Sequence, residues 1–222
     1  NPPVGVTTYY VDCTSGNDSN NGTSQGSAWQ TLDRASNASL NPGDTLLFKR
    51  GCTFNGSLNI SRSGTASQNI LIGAYDSGEL PMIETNLSGS QEVNITGSYI
   101  TLENIHARGL APATEAGCGN NPKGHVVGFK MKSGSHHVTL KNVKATGNYA
   151  GAYIQDSSNN NKITGSTFQN NTMMNPLDTS ANNDAGAFGI LIWGADNEIA
   201  NNTFSGHDSC SYDYGRDGAD IE

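Results

Sequence analysis

Seven titratable side chains crowd one short stretch near the end of this chain: His207, Asp208, Asp213, Arg216, Asp217, Asp220 and Glu222. Glycoside hydrolysis needs two facing carboxylates, and Asp217, Asp220 and Glu222 offer three. Elimination from a uronate needs a cation or metal to neutralise the carboxylate, a base for the neighbouring proton and an acid for the leaving oxygen. Arg216, His207, Tyr212 or a lysine are the right types for those roles. The competing reading is plain: an Asp in a Gly-rich turn usually caps backbone N–H groups. Ca2+ is a further option for such carboxylates. However, Gly215-Arg-Asp-Gly-Ala-Asp-Ile-Glu222 lacks the Gly-Gly-x-Gly start of a calcium nonapeptide, so no metal ligand set is defined. Neither a nucleotide loop nor a Ser nucleophile elbow occurs.

These residues must be held by something, and composition restricts what. The chain has 222 residues, with 12 Lys+Arg against 20 Asp+Glu and a net charge of −8. No basic stripe exists to neutralise phosphates, which argues against nucleic acid and anionic membrane surfaces. No apolar run reaches the ~20 residues of a spanning helix. The 27 Gly, 27 Asn and 42 Ser+Thr favour turns and exclude a helical bundle. The apolar residues are regularly spaced, which excludes a disordered chain.

That spacing is a repeat. Tyr99-Ile-Thr-Leu-Glu-Asn-Ile105, His137-Val-Thr-Leu-Lys-Asn-Val143, Lys162-Ile-Thr-Gly-Ser-Thr-Phe168 and Glu198-Ile-Ala-Asn-Asn-Thr-Phe204 align without gaps. Short strands precede them at Val93–Ile95, Phe129–Met131, Ala152–Ile154 and Ile190–Ile192, and a fifth follows at Ala219–Ile221. Three short strands per repeat describe one coil of a parallel β-helix, each strand pairing with its equivalent ~4.8 Å along the axis. A sandwich would need hairpin turns and predicts no in-register ladder. Apolar residues at Trp29, Leu32 and Ala35 predict a helix over Ala28–Ser36 that caps the first coil. One domain results: cap and N-terminal cassette over 1–50, coils over 51–222, the last one incomplete.

The cassette carries a resemblance. Tyr9-Tyr-Val-Asp-Cys-Thr-Ser-Gly-Asn-Asp-Ser-Asn-Asn-Gly-Thr23, Trp29-Gln-Thr-Leu32, Pro42-Gly-Asp-Thr-Leu-Leu-Phe48, Ser63-Gly-Thr65 and Asn69-Ile-Leu-Ile-Gly-Ala-Tyr75 resemble the opening of secreted right-handed parallel β-helix proteins. That group includes alginate-, chondroitin- and pectate-type polysaccharide lyases, glycosidases and epimerases. The resemblance implies the fold and an extracellular setting, and leaves the chemistry open.

Loops on such a scaffold carry function. Three long ones follow the third strand of a coil, at Leu110–Gly124, Met173–Ala187 and His207–Asp217, and should stack along one edge. On the adjoining first strands, alternation predicts two outward ladders: Lys130, Tyr153, Leu191, Asp220, and Lys132, Gln155, Trp193, Glu222. Aromatic faces stack on sugar rings, while Lys and Gln bond hydroxyls or uronates, so Lys130, Lys132, Tyr153, Gln155 and Trp193 are the expected substrate contacts. An ordinary solvated sheet face is the alternative.

Four cysteines fit no zinc spacing and read as two disulfides. Of three pairings, Cys13–Cys52 joins residues of the cassette, and Cys118–Cys210 joins two stacked loops. Sequons at Asn17, Asn21, Asn37, Asn55, Asn59, Asn86, Asn94, Asn170 and Asn201 are glycosylation candidates. The opening Asn1-Pro2-Pro3 is as expected of a processed, secreted protein. A strand begun at Ala219–Ile221 predicts either a C-terminal continuation or end-to-end self-association. The expected function is binding, with possible cleavage, of a polysaccharide. A non-catalytic binding module and a glycosylated structural or filament-forming β-helix are the alternatives.

Overall fold

A computed structural model of the chain describes residues 5–85, 90–110, 124–175, 179–180 and 182–222. Three parallel sheets run side by side along one axis. Sheet A stacks Thr8–Val11, Thr45–Lys49, Ile70–Tyr75, Ile100–Glu103, Val138–Lys141, Lys162–Thr164 and Glu198–Ala200. Sheet B stacks Thr53–Asn55, Met82–Thr85, His106–Gly109, Lys144–Thr146, Thr167–Gln169 and Thr203–Ser205. Sheet C stacks Leu58–Ile60, Gln91–Ile95, Val127–Met131, Ala150–Ile154, Phe188–Ile192 and Ala219–Ile221. The chain visits A, B and C in turn, which is a parallel β-helix. The first two strands of sheet A fall within the segment expected to be cap and cassette.

The core is a stack of inward rungs. Ile100 pairs Val138, Leu102 pairs Leu140, and Ile83, Ala107, Ala145, Phe168 and Phe204 continue the pattern on sheet B. A coil turns corners by taking one residue left-handed, and equivalent corners stack. Between A and B these are Asn104, Asn142, Gly165 and Asn201; between B and C, Gly147, Asn170 and Gly206; between C and A, Tyr99, His137, Asn160 and Asp196. Asn and Gly tolerate that conformation best, which accounts for the composition.

The gapless alignment slips by two residues at its third segment. Leu140 pairs Ile163 and Ala145 pairs Phe168, so Val138 lies over Asn161, whose Oδ1 accepts the Val138 N–H at 2.9 Å. A shift of two preserves which face a side chain takes, so the inward assignment survived the slip. Polar rungs fill the corners instead: Ser135 and Ser158 hydroxyls meet at 2.9 Å, and Asn148 N donates to Asn171 Oδ1 at 3.1 Å.

The N-terminal helix is shorter than predicted, Leu32–Ser36, with Thr31 as its cap. Ala28–Thr31 are extended because Trp29 exchanges backbone hydrogen bonds with Tyr10 and Asp12, and Asp18 accepts the Gln30 and Thr31 N–H groups. The helix covers the edge of sheet C, where Ser36 Oγ accepts the Asn59 N–H at 3.0 Å. Cys13–Cys52 is a disulfide, as expected, with Cα atoms 5.7 Å apart. Cys118, sequon Asn86 and most of the loop Leu110–Gly124 lie outside the described residues; Cys210 is not a free thiol.

Candidate functional site

Each central sheet C strand carries a glycine where two consecutive residues turn inward. Gly128, Gly151 and Gly189 face Asn148, Asn171 and His207 across the B–C corner. A methyl on Gly151 would lie 2.6 Å from Phe168 and 2.8 Å from the Asn171 amide, so the polar corner side chain requires the glycine. The residues before each glycine, Val127, Ala150 and Phe188, are thereby thrown outward. They join Val126, Tyr149, Tyr153, Met173 and Leu191 in an apolar cluster outside the helix, separate from the core.

Met173 and Ala185, from the described part of the Met173–Ala187 loop, pack on this cluster and leave the outer face of sheet C a half-covered site. Lys130, Tyr153 and Leu191 form one ladder, as predicted, but are only 9%, 5% and 6% exposed. Lys130 Nζ sits 5.3 Å from the Tyr153 ring centre. Trp193, 64% exposed, stands edge-on to Tyr153 at 5.5 Å. Lys132 and Gln155 are half-buried beside it.

The last strand corrects the predicted ladders. Ile190 pairs Ile221, so Glu222 follows Leu191 in the Lys130–Tyr153 ladder, and Asp220 aligns with Gly189. Asp220 therefore turns away, toward His207. His207 is buried in the B–C corner, and burial holds its imidazole below the usual histidine range, with Asp220 opposing that shift. The expected cluster thus separates: Asp217 and Glu222 belong to the outer face, Asp220 and His207 to the corner. Arg216 is engaged by the Asp208 carboxylate through Nε at 2.8 Å and Nη2 at 2.6 Å.

Tyr149 and His125 complete the outer face, and neither was singled out from sequence. The Tyr149 ring packs edge-on to His125 at 4.6 Å and to Phe188 at 5.3 Å. Burial first, then Tyr153, Glu222 and Asp217, push its phenol up to about 12. Burial, aided by Lys130, holds the His125 imidazole down, and burial, aided by Lys132, lowers the Lys130 ammonium. Tyr149 sits one residue before a sheet C strand, directly after the corner Asn148, where strand alternation gives no signal.

Two further carboxylates hold the hairpin Ser209–Ser211/Gly215–Asp217 in place. Asp184 accepts from Ser211 Oγ at 2.9 Å and Tyr212 N at 2.6 Å, while Asp213 accepts the Asn183 and Asp184 N–H groups at 2.6 and 2.9 Å. Among the described residues the carboxylates offered to Ca2+ do not converge. One set, Asp12, Cys13 and Cys52, has metal-like proximity, and its two sulfurs are joined to each other.

Comparison with known proteins bears on this arrangement. No protein-family profile matches the chain. A lacto-N-biosidase of Bifidobacterium longum is 37% identical over 92 residues, 38% of this chain and 6% of that protein. A GH136 lacto-N-biosidase from Eubacterium ramulus superimposes with a TM-score of 0.64 at 22% identity, over 85% of this chain and 36% of the other. A rhamnogalacturonan lyase gives 0.56 at 18% identity over 97% and 53%. An alginate lyase from Paenibacillus gives 0.51 at 20% identity over 77% and 56%. The chain shares the parallel β-helix fold of these carbohydrate-active enzymes and spans about a third to a half of the solved chains.

Proposed function

We propose that this chain belongs to a secreted glycan-cleaving protein and that the outer face of sheet C binds and hydrolyses the sugar chain. What carries the reading is the exposed Trp193 edge-on to Tyr153 at 5.5 Å, beside the outer ladder Lys130–Tyr153–Leu191–Glu222. Trp193 offers the exposed aromatic surface on which a sugar ring stacks. Asp217 and Glu222 are the acid/base pair, and their separation with substrate bound decides inversion or retention. Tyr149 donates a hydrogen bond to sugar oxygen or carboxylate, and Lys130 orients hydroxyls from below. Hydrolysis is favoured over uronate elimination because the predicted cation Arg216 is tied to Asp208 and the largely buried Lys130 packs against the Tyr153 ring.

The test is turnover of a panel of neutral, N-acetylhexosamine-containing and uronate oligosaccharides by the full-length protein. Asp217→Asn and Glu222→Gln should each lower hydrolysis by at least 100-fold while circular dichroism stays unchanged. Unaltered turnover in both variants overturns the assignment. Unsaturated uronate products would give the reaction to elimination instead. Absent turnover with Trp193-dependent retention on a polymer would leave a binding module.

A further inference from the structure

The corner between sheets C and A carries a second concave surface, built on different residues. A cavity of ≈260 Å3 opens there, lined by Ala66, Asn69, Tyr99, His137, Thr139 and Asn160. That volume lies just below the ~300–1,000 Å3 of sites for drug-sized ligands and suits a single ring.

Three of its lining residues, Tyr99, His137 and Asn160, are the left-handed corner residues of successive coils, at φ 55°, 54° and 57°. Their side chains are thrown outward, one rung above another. The Tyr99 and His137 rings stack at 4.7 Å with an interplanar angle of 18°. His136 stands edge-on to both, at 5.2 and 5.1 Å, and its Nδ1 meets His137 Nδ1 at 2.9 Å. The register places Asn69 one rung before Tyr99 and Asn160 one rung after His137. A rigid, partly apolar wall is therefore flanked by two carboxamides, with the Thr139 hydroxyl between sheet and wall.

No lining residue carries a fixed charge. The charged side chains on the neighbouring strands are paired along the axis, Glu103 with Lys141 at 3.4 Å and Lys162 with Glu198 at 2.8 Å. A uronate or phosphate would find no lysine or arginine among the residues that line the cavity. Aromatic wall, carboxamides and hydroxyl without net charge are the chemistry that recognises a neutral, polyhydroxylated ring. The preset backbone and the His136 brace mean that little is left to order on binding.

We propose that this pocket is a second glycan-binding site, apart from the sheet C face, which takes one neutral sugar ring. The inference rests on the glycan reading only for its ligand class; the geometry is independent of the Asp217–Glu222 pair. Chemical-shift changes of the Tyr99 and His137 ring protons would be followed in the full chain against a neutral galactose- or N-acetylglucosamine-containing tetraose and against tetragalacturonate. The neutral probe should shift both rings, and the uronate should not. Thr139→Glu and Ala66→Trp fill the cavity from two of its lining positions, and each should weaken the response at least fivefold. Turnover should stay unchanged in these variants, whereas Asp217→Asn should abolish turnover and leave the ring shifts intact. Rings unmoved by millimolar neutral sugar, equal shifts with the uronate, or full response in both filled variants would overturn the proposal. Ring shifts without any turnover would sustain the pocket and remove the hydrolase reading.

Discussion

Glu92 is a carboxyl in the interior of the β-helix with no solvent exposure and, among the described residues, no hydrogen-bond partner on either oxygen. It stands at the inward position that Gly128, Gly151 and Gly189 occupy in later coils. Burial raises its pKa well above the ordinary value, so the folded state holds its proton. Between the unfolded value near 4.5 and the raised folded value, the folded chain binds one more proton than the unfolded one, and stability falls as pH rises. His106 acts oppositely. Burial first, then Lys144 and Arg108, lower its imidazole to about 4, and its Nε2 meets Thr146 Oγ1 at 2.9 Å. Its stabilising contribution is whole above pH 6.5 and is lost on acidification toward 4. We therefore expect the unfolding free energy of wild type, minus that of Glu92→Gln, to fall with rising pH above 4.5 by at most ~1.4 kcal/mol per unit. The same difference against His106→Gln should fall as pH drops below 6.5. Urea titrations across pH 4–9 measure both; a flat difference in either series refutes that assignment.

At the level of the strand, the pairing of a corner side chain with a glycine makes a sharper demand than hydrophobicity does. Gly151→Ala would bring a methyl to 2.6 Å of Phe168 and 2.8 Å of Asn171. The expected loss is about 1–3 kcal/mol, the range for overpacked cores. Gly26→Ala, with nothing within 4 Å of its new methyl, should stay within ~0.5 kcal/mol. Denaturant midpoints of the two variants should differ accordingly, and equal midpoints would show that the corner yields. The strands themselves were readable from sequence because alternation in Ile100–Glu103 and Val138–Lys141 reports one buried face directly. Register was less so: Leu140 over Ile163 and Ile221 over Ile190 differ by two residues from the apparent alignment, and a two-residue shift leaves the pattern of faces untouched. The site suffered most from this. Glu222 moved to the ladder expected for Asp220, Asp220 left the outward ladders for the corner, and Tyr149, lying in a corner rather than a strand, had no periodic signal at all. The helix start was misjudged because Trp29 has helical spacing from Leu32 yet is held extended by Tyr10 and Asp12.

Over the whole molecule, each coil touches chiefly its two neighbours, so stability is a sum of local interfaces rather than one cooperative core. The Cys13–Cys52 disulfide closes a separation of 39 residues at one end of that stack. In the chain-entropy account it contributes about 4 kcal/mol. Cys52→Ser should therefore lower the unfolding midpoint through the first coils alone. Hydrogen exchange would show Thr8–Val11 and Thr45–Lys49 losing protection while Ala150–Ile154 keeps it. Uniform loss across all three would mean that the cap governs the entire stack.

The left-handed corners have a further effect on how such a chain can change length. Between Ser135 and Ser158, Val138 and Asn161, Val143 and Ser166, and Asn148 and Asn171, the spacing is a constant 23 residues. Each corner hands the backbone to the next sheet along the same vector, so residues inserted beyond a corner leave and return without disturbing their neighbours. A block of 23 residues is also a complete lap, whose removal asks only that the two halves close up by one strand spacing of ~4.8 Å. Girth and height are thus separate variables: loops thicken the column at a chosen storey, and whole laps raise or lower it. A binding surface on such a column can be retuned by changing one storey while those above and below keep their geometry.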